Sequence, residues 1–230
     1  MGKIKKLFQA DAAYLENLHS FRLRDTLIAA VYYLLILAVY YIVGHMLAVM
    51  QLDFRLPMSI GFILLPVLLC FRSLSGLGLS RRNLTRSLIV SAVSGCIFLL
   101  AFSVIPNVFA GRHLLPVNRI LYHIFFFFIM IGFSEEVGFR GFIQPRLFPL
   151  LKSEWLTVLA GGILFVFMHY PFQMAVRQMG FLDYLPKFIE QAPMQFLWHF
   201  VFTWFYRRYG NLYGSTVLHG LVDMTGGLFG

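Results

Sequence analysis

Charge is what this sequence has least of. Only 13% of its 230 residues are Asp, Glu, Lys or Arg, where soluble domains carry about 25%, and that shortage excludes an ordinary water-soluble globule. Cysteine is nearly absent as well. Cys70 and Cys96 both lie in apolar runs without metal-ligand spacing, which excludes a disulfide framework and a cysteine-based zinc module. No internal repeat, low-complexity tract or linker interrupts the chain, so nothing divides its membrane part into separate units.

What the sequence has in excess is apolar surface. It is 59% hydrophobic with a mean hydropathy of +0.75, the composition of an integral membrane protein. Spanning helices need about 20 apolar residues, and the candidates are 27–50, 57–71, 87–110, 118–139, 156–171, 192–207 and 212–229. The expected architecture is therefore an all-α, polytopic membrane bundle of about seven segments. Residues 1–26 form a basic amphipathic lead-in, and 27–230 form one membrane-embedded domain.

The net charge of +9 does not point to nucleic acid, because the Lys and Arg residues are spread between apolar runs instead of clustering on one face. With seven spans, all basic residues except Arg55, Arg112, Arg119, Arg177 and Lys187 fall on the side of the N-terminus. That bias predicts a multi-pass cell-membrane protein with a cytoplasmic N-terminus. The opening MGKIKK has no cleavable apolar stretch behind it, so the first helix is expected to remain as an anchor. Residues 1–25 space Leu7, Phe8, Leu15, Leu18 and Phe21 like a helix lying on the inner membrane surface. Residues 172–191 read as an interfacial loop.

Ionisable side chains inside apolar segments are costly and usually mark function. Three stretches contain them. In "GFSEEVGFRGF" Glu136 and Arg140 are four apart and can pair on one helix face, while Glu135 projects about 100° away. In "FVFMHY" Phe165 and His169 are four apart, and in "LHGLVDM" so are His219 and Asp223. Lys152, in the polar "LKSEW", stands 17 residues from both Glu135 and His169. A helix hairpin turning there brings the two to the same depth, and a third helix carrying His219 and Asp223 completes a polar cluster. His45, His123 and His199 read as packed, hydrogen-bonded histidines, which leaves proton-coupled transport without a continuous polar path.

Glu135-Glu136-x-x-x-Arg140, Phe165-x-x-x-His169 and His219-x-x-x-Asp223, in that order, resemble the three motifs of the CPBP (CAAX protease and bacteriocin-processing) intramembrane endopeptidases. The stretch "YRRYGNLYGSTVLHGLVD" is similar to the run into the family's last motif, and the resemblance covers about residues 118–229. It implies a protease-like domain that hydrolyses peptide bonds of a membrane-associated peptide or protein at the lipid bilayer. It also implies that Glu135 and His169 activate a water and that His219 and Asp223 stabilise the site. Glu136, Arg140 and Phe165 would support it. The family's last motif often ends in Asn. A carboxylate cannot donate a hydrogen bond unless protonated, so Asp223 is expected to orient His219 or a metal. Glu135, His169, His219 and Asp223 are a zinc-capable donor set, and the sequence leaves zinc or no cofactor equally open. No HExxH is present, which excludes close kinship with zinc membrane proteases of that type. The alternative is a non-proteolytic scaffold or immunity protein of the same fold that binds a membrane partner such as a sensor.

Overall fold

A computed structural model describes residues 9–70 and 74–230. The described residues are 84% helical and include no strand; their one sheet-like contact is a bridge between Leu114 and Phe229. Among the described residues eight helices follow one another: α1 (Ala12–Ser20), α2 (Leu23–Val49), α3 (Arg55–Leu69), α4 (Leu84–Phe109), α5 (Val117–Leu151), α6 (Glu154–Val176), α7 (Phe181–Tyr209) and α8 (Leu212–Asp223). Of these, α2, α4, α5 and α6 are each long and apolar enough to cross a membrane. The expected membrane bundle is the observed fold.

The helix boundaries follow from local chemistry. Lys152 turns left-handed at φ 50° and Ser153 caps α6 by accepting from the Leu156 amide, so the α5–α6 hairpin turns at the polar point of the sequence. Gly210, at φ 67°, closes α7, and the Asn211 side chain at once caps α8 by accepting from the amides of Tyr213 and Gly214. A left-handed Gly followed by an Asn cap is a compact helix-to-helix corner.

Helix α5 is not uniform. It widens into π-helical turns over Phe126–Phe133 and again over Glu136–Ile143, then tightens to a 3-10 turn at Gln144–Leu147, where Pro145 cannot continue the hydrogen-bond ladder. Glu135 sits between the two wide stretches. Such insertions in a helix are frequent at functional sites.

Without a hydrophobic drive between helices in lipid, close packing and interhelical hydrogen bonds hold a bundle together. Helix α2 is stitched on by three hydroxyls: Thr26 donates to the Arg146 carbonyl, Tyr32 to Phe62 and Tyr33 to Leu164. Helix α8 is the hub. Its 12 residues span only about 18 Å, too short for a hydrocarbon core of about 30 Å, and eight of them are buried among α4, α5 and α7. Gly220 permits this closeness, since a Cβ there would lie 2.6 Å from the Phe128 ring.

Four local expectations are corrected. Residues 172–191 are not a loop: α6 runs on to Val176 and α7 begins at Phe181, because Tyr184 and Phe188 pack one helical turn apart on Val166 and Tyr170. The first membrane helix begins at Leu23, where the Asp25 carboxylate accepts from the Arg22 amide. In the N-terminal segment, α1 buries Tyr14 and Leu18 against Val137, Tyr206 and Leu212, so at least this part of it docks on protein. Lys3, Lys5, Lys6, Leu7 and Phe8 lie outside the described residues. Finally, His45 is exposed and stacked on Tyr41, unlike His199, which is fully buried.

Candidate active site

The hairpin of α5 and α6 places Glu135 opposite His169, with His169 Nε2 3.9 Å from Glu135 Oε2. Helix α8 brings His219 to the same carboxylate, Nε2 to Oε2 3.8 Å, and Asp223 Oδ2 lies 3.5 Å from that Nε2. Glu135, His169, His219 and Asp223 together line one cavity of about 470 Å³. Residues separated by up to 88 positions in the chain are thus brought to one point by the α5–α6 turn and the buried hub helix.

The neighbouring glutamates diverge. Glu136 is fully buried away from the cavity, its Oε1 3.1 Å from Arg140 Nη1 and accepting a hydrogen bond of 3.0 Å from His219 Nδ1. Arg140 is equally buried. Its guanidinium lies 4.1 Å from the Phe165 ring centre and 5.4 Å from that of Phe202, and Nη2 donates to His199 Nδ1 at 3.2 Å. The two aromatic faces and the carboxylate together offset the cost of burying this cation.

Both site histidines are oriented through their Nδ1 atoms. His169 Nδ1 donates to the Phe165 carbonyl at 2.8 Å, and its ring stands edge-on to Phe165. His219 Nδ1 donates to Glu136, and its ring stacks on Phe202 at 4.3 Å. With Nδ1 committed as donor, each imidazole presents an Nε2 lone pair whenever the ring is neutral, by tautomer inference from these networks. Both lone pairs face Glu135 Oε2, a buried oxygen without a hydrogen-bond partner. Acceptor atoms 3.8–3.9 Å apart are spaced for a donor such as water between them.

Among the described residues, no three His, Cys, Asp or Glu side chains are grouped to hold a metal ion. Asp223, the His219 partner on the same helix, is less buried than its neighbours.

Several residues that complete the site carry no motif signal. His199 of α7 bridges the Arg140 guanidinium to the Val158 carbonyl of α6, and the Thr203 hydroxyl donates to Gln144 Oε1 beside it. Phe202 is the surface on which His219 stacks. From α2, Tyr40 lines the same cavity. A polar side chain recurring on a long apolar helix is the one signal that could have flagged Tyr40, His199 and Thr203; nothing in the sequence assigns them partners.

No curated protein and no solved structure matches the chain. Residues 117–225 do match a family model, Rce1-like, described as type II CAAX prenyl endopeptidase Rce1-like. The matched stretch begins with α5 and runs past Asp223, so it contains every motif residue of the cavity. Over residues 117–225 the chain is thus similar to the CPBP/CAAX proteases that this family model describes.

Proposed function

We propose that the chain is an active endopeptidase that hydrolyses a peptide bond in a membrane-associated peptide or protein, with Glu135 and His169 activating the attacking water. The family match supports CAAX-type membrane proteolysis in general. The observation that carries the finer reading is the unpartnered Glu135 Oε2, faced by two imidazole lone pairs at 3.8 and 3.9 Å. A water held there donates to the carboxylate and to an Nε2, which aims an oxygen lone pair into the cavity. Glu135 takes a proton as the water oxygen bonds to the carbonyl carbon. When the C–N bond breaks, that proton passes to the leaving amine directly or through His169. Holding reactants in this geometry and transferring the proton in place are the two contributions such a pair can make.

The cavity is walled by Phe126, Phe127, Phe165, Phe172, Trp198 and Phe202, which favours a substrate segment with apolar side chains on both sides of the cleaved bond. Its lining runs from the Glu135 level toward Arg55 and Gln173, at the end of the bundle opposite α1. With the more basic α1 end in the cytoplasm, the cavity opens toward the other face of the cell membrane.

The test is Glu135→Gln, which preserves shape and removes the base. Protein reconstituted in lipid vesicles is given internally quenched fluorescent peptides carrying an acyl anchor. Cleavage by the wild type that falls by at least about 10²-fold in the variant, with unchanged melting temperature, is the expected result. Equal cleavage by the variant overturns the mechanism. Absence of cleavage by the wild type, with a membrane partner still captured by both forms, favours the scaffold reading.

A further inference from the structure

Glu135 and an aromatic wall do not decide which peptide bond is cut. The Phe and Trp faces of the cavity attract apolar side chains, but they let an extended chain slide, and its amides recur about every 3.3 Å. Attack succeeds only when the reacting atoms are held within contact range and aligned. In mostly apolar pockets a small number of polar groups supply that orientation. Of the buried polar atoms without a hydrogen-bond partner among the described residues, two belong to the cavity wall: Glu135 Oε2 and Oε1 of Gln195, on α7.

Three contacts fix the depth of Gln195. Arg140 of α5 lies on the Phe165 ring of α6 at 4.1 Å and donates to His199 of α7 at 3.2 Å, and the Phe165 and His199 rings are 5.5 Å apart. These three residues form one layer across the bundle. Helix α6 runs antiparallel to α5 through the Lys152 turn, and antiparallel to α7, where Phe167 meets Phe188 and Tyr170 meets Tyr184. From that layer toward the mouth of the cavity, the path is five residues back along α5 to Glu135, four forward along α6 to His169 and four back along α7 to Gln195. At 1.5 Å per residue each step is about 6–8 Å. The three side chains therefore share the next layer, and all three line the cavity. The backbone under Gln195 is tightly held, since a Cβ on Gly162 of α6 would lie 2.7 Å from the Phe196 ring and 3.0 Å from that of His199. The Gln195 oxygen itself is held by no partner in the protein, and rotation about the terminal bond of such a side chain is broad and roughly two-fold.

We infer that Gln195 sets the register of the substrate, its carboxamide pairing with the backbone of one residue beside the cleaved bond. This rests on the protease reading above. A primary amide carries an acceptor oxygen and two N–H donors. Those complement the N–H and C=O of a single residue in extended chain, which point to the same side. The unpartnered Oε1 turns into the cavity and accepts the substrate N–H, while Nε2 donates to the substrate C=O. Gln195 and Glu135 lie within one helical turn of each other in depth, and extended chain advances about 3.3 Å per residue. The paired N–H therefore belongs to a residue within about two positions of the cleaved bond. Backbone is read here instead of side chain, so the contact is indifferent to the substrate's sequence.

An acyl-anchored quenched peptide that the wild type cleaves is remade with backbone N–H groups replaced, one at a time, by ester oxygen. The replacements cover two residues on either side of the cleaved bond and leave the cleaved amide itself intact. One such analogue is expected to raise KM by about 3- to 10-fold, the worth of one neutral hydrogen bond, with kcat within about twofold. Gln195→Met, similar in shape but without the amide, should raise KM for the parent peptide by a like factor. In that variant the same ester replacement should cost nothing further. Gln195→Glu keeps an acceptor oxygen, should retain sensitivity to that ester, and covers the case of a poorly folded Met variant. An ester series that is flat in the wild type overturns the inference, as does full ester sensitivity in Gln195→Met. So does a loss of kcat at unchanged KM in Gln195→Met, the pattern of a group acting only in the transition state. In each of these cases cleavage that still depends on Glu135 leaves the protease reading intact. If the wild type cleaves no anchored peptide and Glu135→Gln is indistinguishable from it, the protease reading itself fails and takes the inference with it.

Discussion

Glu135 and Glu136 are adjacent in the chain and opposite in circumstance. One faces a cavity; the other is sealed with Arg140 and His219 where neither water nor lipid reaches. A buried ion pair contributes little net stability when intact, but removal of one partner strands the other and costs about 3–5 kcal/mol. Arg140→Ala is therefore expected to melt far below the wild type in detergent. Adding Glu136→Gln should recover part of the loss by removing the stranded charge, although the His219 Nδ1 contact is then weakened. Equal melting of wild type and Arg140→Ala, read by thermal unfolding in the same detergent, contradicts this account. The pair itself was legible as a four-residue spacing of opposite charges on one apolar helix. The rest of its setting was not. Phe165 and Phe202 offer their rings to the guanidinium, and His199 accepts from it, only because α6 and α7 cross α5 at that level. No local pattern encodes a crossing.

At the level of the helices, the α5–α6 hairpin was readable because a polar turn stood midway between two isolated ionisable residues. The two wide π-helical stretches of α5 left no trace in the apolar pattern, since a π-turn adds one residue to a turn without changing which residue types face lipid. Helix α7 was read short for a different reason. A few charges among the apolar residues of 172–191 suggest a loop, whereas packing of Tyr184 and Phe188 on α6 keeps the segment helical from Phe181. Tertiary contact outweighs propensity there. The wide second half of α5 is also closely approached by the Leu74–Leu77 turn. A Cβ on Gly141 would lie 2.6 Å from the Leu77 carbonyl oxygen, a backbone atom that cannot rotate aside. Gly141→Ala should accordingly force α5 and the Leu74–Leu77 turn apart, at a cost of about 1–3 kcal/mol for overpacking. Because Glu135 lies less than two turns away, the variant should lose activity together with stability. A melting temperature at or above that of the wild type, by the same unfolding assay, counts against the tight approach.

Across the whole molecule, the two ends of the bundle differ in composition. At one end α1 is tied down by the Asp11 amide donating to the Arg207 carbonyl, by the Arg82–Asp11 ion pair and by Asn17 donating to the Gly76 carbonyl, while His19 packs on Phe148. Arg81, Arg82, Arg207, Arg208 and Lys152 gather around this end. The opposite end is closed by the chain after α8, where the Leu115 amide donates to Leu228 and the Gly230 amide to His113, and by Gln178 donating to Ala48. Arg112 and Lys187 lie toward that end with fewer basic companions. Alternation of α2 to α8 between the two ends keeps them on opposite sides, and the first, with its denser basic residues, is the one we propose to face the cytoplasm. The cavity runs toward the second, past Arg55 and Gln173. In a background with Cys70 and Cys96 replaced by Ser, single cysteines at Lys152 and at Lys187 separate the two orientations. A membrane-impermeant maleimide applied to intact cells should label the Lys187→Cys protein and leave Lys152→Cys unlabelled until the membrane is opened. With Gln173→Cys, labelling from outside should also be slowed by an acyl-anchored peptide that fills the cavity. The reverse pattern, Lys152→Cys labelled first, would place the mouth of the cavity on the cytoplasmic face and send the substrate search there.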